Sequence, residues 1–132
     1  MSFSGINYWA VLAATVLGYL LGAFWYSRKM FLKAWNNALG DQAPIKHSIL
    51  AYIFAFIFQL ISAYGLAVLL GQSPALLTAL WIGFWVGLFF VTTALGINYV
   101  FSNRSLRLLF IDGGYHIVKF VLYGFIIAIW RK

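Results

Sequence analysis

Cysteine is absent from the chain and acidic residues are nearly so: Asp41 and Asp112 stand against nine lysines and arginines in 132 residues. Without a thiol, no disulfide, thiolate metal site or cysteine nucleophile can form. Charged residues make up only 8% of the sequence, whereas a soluble domain carries about 25% because its surface must be wetted. This scarcity excludes a soluble enzyme, a nucleic-acid-binding domain and a disordered tail.

Apolar residues are what the chain has instead. They account for 64% of the sequence, and the mean hydropathy is +0.93. A membrane-spanning helix needs about 20 mostly apolar residues, and four stretches satisfy this requirement, at about 6–26, 48–70, 75–101 and 108–130. We therefore predict an all-α, polytopic membrane protein, with residues 1–132 forming one integral membrane domain. The first stretch lacks a basic leader and a cleavage pattern, so we expect it to remain as a helix.

A short amphipathic helix is predicted after the first span, at residues 28–39. Phe31 and Trp35 lie on one of its faces, and Lys33 lies on the other. Ser27 is the expected N-cap and Gly40 marks the end. The pattern is typical of a helix that lies at the membrane interface.

The distribution of basic residues predicts the topology. Six lie in the loops after the first and third spans, and two lie on the opposite side. The six are Arg28, Lys29, Lys33, Lys46, Arg104 and Arg107, and the two are Arg131 and Lys132. Loops rich in lysine and arginine stay in the cytoplasm, so we expect a multi-pass protein of the inner (cytoplasmic) membrane with both termini outside the cytoplasm. The net charge of +7 is thus attributed to orientation and lipid contact, not to nucleic acid.

One polar stripe runs along the fourth span. Asp112, His116, Lys119 and Tyr123 are spaced i, i+4, i+7 and i+11, which places them within about 60° of arc on a helix. A charge at the centre of a spanning helix costs about 2.5–3.5 kcal/mol on insertion scales. Each of these groups should therefore face the interior of the bundle or a water-filled space.

Counting residues along the spans places other polar groups at the same depths. Gln59 comes level with Lys119, Thr92 and Thr93 come level with His116, and Asn98 comes level with Asp112. Polar side chains of three helices would then meet in layers inside the bundle. Asp112 and His116 are one turn apart, so a hydrogen bond between them is feasible.

Three interpretations of the stripe stay open. It is polar glue for helix packing with some water, a permeation or ligand-binding path, or a face that docks a partner protein. Lys119 lies about 10 Å along the axis from Asp112, so it must be neutral, reach a neighbouring subunit, hold an anion or contact water. His116 lacks a second spaced ligand, so neither a haem nor a metal is predicted, and no cofactor is expected.

Two G-x-x-x-G patterns favour close helix packing. Gly18 and Gly22 form the first, and Gly83 and Gly87 form the second. Small residues at this spacing let helix backbones approach each other. Packing within the bundle is the default interpretation, and a defined dimer face is the alternative.

The residues after the first span resemble the signature of a known family. Trp25-Tyr26-Ser27, followed by Phe31 and Lys33-Ala34-Trp35, is similar to the W-Y-S…F-x-K-x-W motif of a bacterial membrane family, domain of unknown function 1761. Residues 112–116, Asp-Gly-Gly-Tyr-His, resemble that family's final helix. The resemblance implies a four-helix integral membrane protein of about this length, and it implies no activity or catalytic residue.

The leading functional hypothesis is a small channel or carrier for an anion or small polar solute. Asp112, His116, Lys119 and Tyr123 would line its path, with Gln59 facing them. The alternative is a non-transporting membrane subunit or assembly protein whose stripe docks a partner. Nothing in the sequence builds a catalytic site, so we expect no enzyme. So small a bundle is expected to form a homo-oligomer or to bind another membrane protein.

Overall fold

The computed structural model describes residues 3–130, and within that range it contains helices and turns but no strand. Four helices are long and apolar enough to cross a membrane. The first span is Tyr8–Trp25, the second Ile49–Leu70, the third Leu76–Phe101 and the fourth Leu106–Ile129. Helices satisfy every backbone hydrogen bond within one segment, as hydrocarbon requires. The predicted all-α class with four spanning helices is confirmed.

A short helix follows the first span, at Leu32–Leu39, and leads into a 3₁₀ turn at Gly40–Gln42. It begins later than the sequence predicted, because residues 26–31 form turns in which the Phe31 amide donates to the Trp25 carbonyl at 3.0 Å. The predicted cap at Ser27 is wrong. Phe31 occupies the N-cap position, and the Ser27 hydroxyl is buried without a hydrogen-bond partner among the described residues.

Polar side chains define where three of the spans begin. Asn7, Ser48 and Ser105 each accept hydrogen bonds from amides in the first turn of the helix that follows, which satisfies donors that no helical carbonyl can reach. The Asn7 amide also donates to the Trp130 carbonyl at 3.1 Å. This bond joins the beginning of the first span to the residue that follows the fourth.

The third span changes its winding in the middle of its length. Residues Val86–Thr92 form a π-helical segment between two α-helical halves. The Thr92 hydroxyl donates to the Gly87 carbonyl, five residues earlier, at 2.9 Å and lies 3.3 Å from the Gly113 carbonyl of the fourth span. Such segments are rare and often occur at functional sites, and no periodicity in the sequence indicated this one.

The fourth span is the centre of the bundle. Of the 18 consecutive residues that make up its apolar stretch, 56% are buried, whereas only 11% of the corresponding residues of the third span are buried. Gly83 and Gly87 of the third span pack directly on its backbone. A Cβ added at Gly83 would collide with the Phe120 carbonyl, and one added at Gly87 would lie 2.7 Å from the Ile117 Cα.

The glycines of the first span face the fourth span as well. A Cβ at Gly18 would lie 2.5 Å from the Tyr123 ring, and one at Gly22 would lie 3.0 Å from the Tyr115 hydroxyl. Both G-x-x-x-G patterns therefore lie at contacts within one chain. These four glycines let the first and third spans pack closely against the fourth span.

Candidate functional site in the bundle core

Asp112 is the centre of a hydrogen-bonded group that we call the carboxylate cluster: Asp112, Tyr26, Trp35 and Tyr99. The Tyr26 hydroxyl donates to Oδ1 at 2.6 Å, and the Trp35 indole donates to the same oxygen at 3.1 Å. The Tyr99 hydroxyl donates to Oδ2 at 2.5 Å. The donors come from the residue after the first span, from the short helix and from the end of the third span.

In this cluster the Asp112 carboxyl group is the acceptor, and the groups that donate to it are two phenols and one indole. Asp112 is buried, and it forms no ion pair with any residue in the described part of the chain. Its two carboxylate oxygens accept all three hydrogen bonds. Burial, and then the hydrogen bond to Asp112, raise the pKa of Tyr26 above its usual value, which keeps this phenol a donor.

A neighbouring contact reinforces the cluster. The Trp25 indole donates to the Ile111 carbonyl at 3.1 Å, and the Trp25 and Phe31 rings lie 4.8 Å apart. The first span and the turn after it are thereby attached to the fourth span beside Asp112. The W-Y-S…W pattern thus acts structurally, because Trp25, Tyr26 and Trp35 all hold the same stretch of the fourth span.

A second group of hydrogen bonds lies deeper in the bundle and is centred on Gln59. The Tyr123 hydroxyl donates to Gln59 Oε1 at 2.7 Å, and Gln59 Nε2 donates to the Tyr115 hydroxyl at 3.1 Å. The Tyr115 hydroxyl in turn donates to the Gly18 carbonyl at 3.1 Å. The sequence placed Gln59 beside the stripe, and the structure puts it in contact with Tyr123 on one side and Tyr115 on the other.

Lys119 lies between the two tyrosines of this group and is only 4% exposed. Its Nζ atom is 5.5 Å from the centroid of the Tyr115 ring, 5.1 Å from that of Phe120 and 5.7 Å from that of Tyr123. Within residues 3–130 it makes no hydrogen bond and no ion pair. Lys119 is therefore a buried side chain whose amine lies against aromatic rings.

His116 does not join the carboxylate cluster. The hydrogen bond to Asp112 that the helical spacing allowed is not formed, since the donors to both carboxylate oxygens come from other segments. The Nδ1 atom of His116 is buried without a partner among the described residues. Asp112 and Tyr123, at the two ends of the polar stripe, thus form hydrogen bonds with other segments, whereas His116 Nδ1 and the Lys119 amine between them form none among the described residues.

The predicted layers of polar residues are only partly formed. Thr92 contacts the Gly113 carbonyl, close to His116 in the chain, but Thr93 and Asn98 are exposed. Thr93 donates back to the Phe89 carbonyl of its own helix instead. At the level of Asp112 it is Tyr99, the next residue after Asn98, that faces the fourth span.

Sequence reasoning missed Tyr99 and Tyr115 as members of the site. Each lies beside a residue that was singled out, Asn98 and His116 respectively. Tyr99 was passed over as an ordinary aromatic residue of a span, and Tyr115 was noted only within the family motif at residues 112–116. Tyr26 was noted only for the family motif, and Trp35 was noted for that motif and for the apolar face of the short helix. The signal that could have found all four is the hydroxyl or indole donor that a buried aromatic side chain must satisfy.

The described residues offer no evident metal site. No group of three or more histidine, cysteine, aspartate or glutamate side chains comes together in residues 3–130. The polar groups in and beside the Gln59 group are phenols, an amide, one imidazole and one amine, and the Asp112 carboxylate lies apart from them with three hydrogen bonds already accepted. This set suits hydrogen bonding to an anion or a neutral polar solute better than coordination of a cation.

One family model matches residues 9–128 and carries the description "Protein of unknown function (DUF1761)". The chain belongs to this family. The resemblance drawn from Trp25-Tyr26-Ser27 and from residues 112–116 is confirmed. In this DUF1761 chain, the matched region contains the complete carboxylate cluster and the Gln59 group. No curated protein and no solved structure matches the chain.

Proposed function

We propose that this protein is a small carrier, and not an enzyme, for an anion or a small polar solute, and that Lys119 is the centre of its binding site. The observation that supports this most directly is the position of the Lys119 amine. It is enclosed in the most buried span and has no acid and no hydrogen-bond partner among residues 3–130.

The energetics of that position favour a missing ligand. A charged lysine at the middle of a spanning helix costs about 2.5–3.5 kcal/mol. Each contact with an aromatic ring returns about 0.5–2 kcal/mol, and the rings of Tyr115, Phe120 and Tyr123 lie 5.5, 5.1 and 5.7 Å from the amine. These rings offset the cost of the charge but supply neither a counter-charge nor a hydrogen-bond acceptor, which an anion or a polar solute at the amine would supply. A solute that binds there would be held by charge and by nearby hydrogen-bonding groups.

Several neutral polar groups surround the proposed centre. Gln59 bridges Tyr115 and Tyr123, and the unpartnered Nδ1 of His116 lies one turn from Lys119 on the same helix. An oxyanion or a small amide would find donors and acceptors here once the helices separate slightly. We assign Asp112 a positioning role in this proposal, because its two oxygens already accept three hydrogen bonds.

Access to the centre requires movement, which favours a carrier over an open channel. Lys119 is 4% exposed and Tyr123 is fully buried. The π-helical segment Val86–Thr92 packs against another face of the same span, with Gly87 against Ile117 and Thr92 against Gly113. We infer that this segment returns to α-helical winding when the site opens, because π-helical turns are less stable than α-helical ones.

The orientation and assembly in this proposal follow the charge and the shape of the chain. The end of the bundle that contains the carboxylate cluster carries six of the basic side chains. In this proposal the protein lies in the inner membrane, and this end faces the cytoplasm. A homo-oligomer is expected to form through the third span. Trp81, Trp85 and Phe89 stack along its exposed face, with successive centroids 5.9 and 4.8 Å apart.

The alternative is a non-transporting subunit that docks a partner. In the form first considered, an acid of the partner would neutralise Lys119. The burial of Lys119 counts against that form, because a partner outside the bundle would have to separate the helices to reach it. A partner on the exposed aromatic face of the third span is the version that the fold allows.

Flux measurements in liposomes test the proposal. Purified protein is reconstituted, and uptake of chloride, nitrate and phosphate is followed, with glycerol and urea as neutral probes. We expect at least one probe to cross faster than in protein-free vesicles. The Lys119→Met variant should lose most of this flux, while Lys46→Met, which removes an exposed loop lysine, should keep it.

Two results would overturn the carrier proposal. One is equal permeability of protein-containing and protein-free vesicles to all five probes. The other is unchanged flux in a Lys119→Met variant whose Tm shows that it is folded. Isolation of a stable complex with a second membrane protein, combined with absence of flux, would favour the subunit alternative.

A further inference from the structure

A groove separate from the bundle core lies beside the carboxylate cluster. It encloses about 480 Å³ between the end of the first span, the turn and short helix that follow, and the beginning of the fourth span. Its lining residues are Trp25, Phe31, Ala34, Arg107, Phe110 and Ile111. The volume is within the range of about 300–1,000 Å³ typical of small-molecule sites.

The walls of this groove are apolar and held in place. The Trp25 indole donates to the Ile111 carbonyl at 3.1 Å, and the Trp25 and Phe31 rings lie 4.8 Å apart. Phe110 forms part of the wall although it is 78% exposed. The groove is thus a fixed apolar slot that opens to the outside of the bundle.

One lining residue carries a charge. Arg107 is exposed, and it makes no hydrogen bond or ion pair with any residue between 3 and 130. Neither of the chain's two acids is available to it: Asp112 is bound by three donors, and Asp41 lies in the 3₁₀ turn beyond the short helix. The guanidinium is therefore available to an anion from outside the chain.

We propose that this groove binds one anionic phospholipid, with its phosphate on Arg107 and an acyl chain along Trp25, Phe31 and Phe110. A phospholipid joins an anion to a long apolar chain, and the groove joins a guanidinium to an apolar slot. The slot lies where spans end and basic loops begin, which is the depth of lipid headgroups. Guanidinium groups form paired hydrogen bonds with phosphate oxygens.

The bound lipid also stabilises the neighbouring cluster. An acyl chain on Trp25 and Ile111 covers the contact that attaches the first span to the fourth, next to Asp112. A ligand that binds only the folded protein raises its stability with concentration. Anionic lipid should therefore raise the Tm of the protein more than zwitterionic lipid with the same chains.

Native mass spectrometry with a thermal-shift assay tests the site. Delipidated protein in detergent is mixed with phosphatidylglycerol or phosphatidylcholine of identical acyl chains. We expect one phosphatidylglycerol per chain to bind at least about tenfold more tightly than phosphatidylcholine. Arg107→Gln should abolish this preference. Arg104→Gln is the matched control, because Arg104 lies three residues before Arg107, in the turn that precedes the fourth span, with its guanidinium over the Tyr99 ring at 5.9 Å and outside the groove lining.

A second variant tests the acyl slot without changing the charge. Ala34→Phe fills the groove from the short helix, and we expect it to weaken binding of phosphatidylglycerol while the Tm of the lipid-free protein is kept. Equal losses in the Arg104 and Arg107 variants would indicate diffuse attraction to the basic surface and overturn the proposal. Equally tight binding of glycerol 3-phosphate without acyl chains, or unchanged binding in the Ala34 variant, would also overturn it.

Discussion

Replacing Tyr99 with phenylalanine removes a single hydroxyl from the carboxylate cluster. That hydroxyl is the only described donor to Oδ2 of Asp112, at 2.5 Å, whereas Oδ1 has both Tyr26 and Trp35. The variant therefore leaves a buried carboxylate oxygen without a partner. Tyr26→Phe leaves Oδ1 with the Trp35 indole, so Tyr99→Phe should be the more damaging change.

The magnitude follows from the kind of bond that is lost. Hydrogen bonds between helices in membranes contribute about 0.6 kcal/mol on average and about 1.7 at most, whereas bonds to a charged acceptor contribute about 1.5–3 kcal/mol. Asp112 is 8% exposed, so water compensates little. We expect Tyr99→Phe to lower the free energy of unfolding by about 1.5–2 kcal/mol and Tyr26→Phe by about 1 kcal/mol.

Unfolding in mixed micelles of mild detergent and dodecyl sulfate measures this difference, with tryptophan fluorescence as the signal. Tyr52→Phe is the matched control, because Tyr52 is 50% exposed and its hydroxyl makes no hydrogen bond within residues 3–130. A double-mutant cycle with Asp112→Asn isolates the interaction. The amide keeps a neutral hydrogen bond to Tyr99, so the coupling should be about 1 kcal/mol.

Two outcomes would refute this reasoning. Tyr99→Phe would cost no more than Tyr52→Phe if the bond to Oδ2 contributed nothing. Additive effects of Tyr99→Phe and Asp112→Asn would mean that the hydrogen bond of Tyr99 gains no strength from the carboxylate.

Three further changes have expected outcomes in the same assay. Lys119→Met should raise the free energy of unfolding by about 1 kcal/mol, because the cost of the enclosed charge exceeds its attraction to the rings; a clear loss would show that the amine has a stabilising partner. Gln59→Leu should lower it by about 1–3 kcal/mol by leaving the buried Tyr123 hydroxyl unsatisfied, and no change would mean that the hydroxyl finds another acceptor. Gly83→Ala should lower the free energy of unfolding by about 1–3 kcal/mol, because the added Cβ meets the backbone of the fourth span. Gly65→Ala is the control and should cost nothing, because its Cβ meets open space. Equal effects of the two changes would contradict the close packing.

The sequence allowed the class and the number of spans to be predicted, because four long apolar stretches leave a chain few alternatives. It also identified Asp112, Lys119 and Gln59 as polar residues that need partners. Their partners could not be predicted, because a helical wheel compares positions on one helix and says nothing about how neighbouring helices are rotated. Asp112 was paired with His116 on its own helix, and its donors come from three other segments.

Tyrosine and tryptophan caused the remaining misses. Their amphipathic rings suit the membrane interface, the core and a hydrogen bond to a buried carboxylate equally well. Trp35 was therefore assigned to the interfacial face of an amphipathic helix, and Tyr99 was passed over. The π-helical winding at Val86–Thr92 leaves no trace in apolar periodicity, because the stretch is hydrophobic on all sides.

The carboxylate cluster has a consequence for the order in which the protein matures. All three donors to Asp112 precede it in the chain, by 86, 77 and 13 residues for Tyr26, Trp35 and Tyr99. During synthesis the first three spans are inserted before their common acceptor has been made. The short helix can thus be fixed against the bundle only after the fourth span has entered the membrane. A nascent chain halted before Asp112 would leave Trp35 accessible to chemical modification, and the complete chain would protect it.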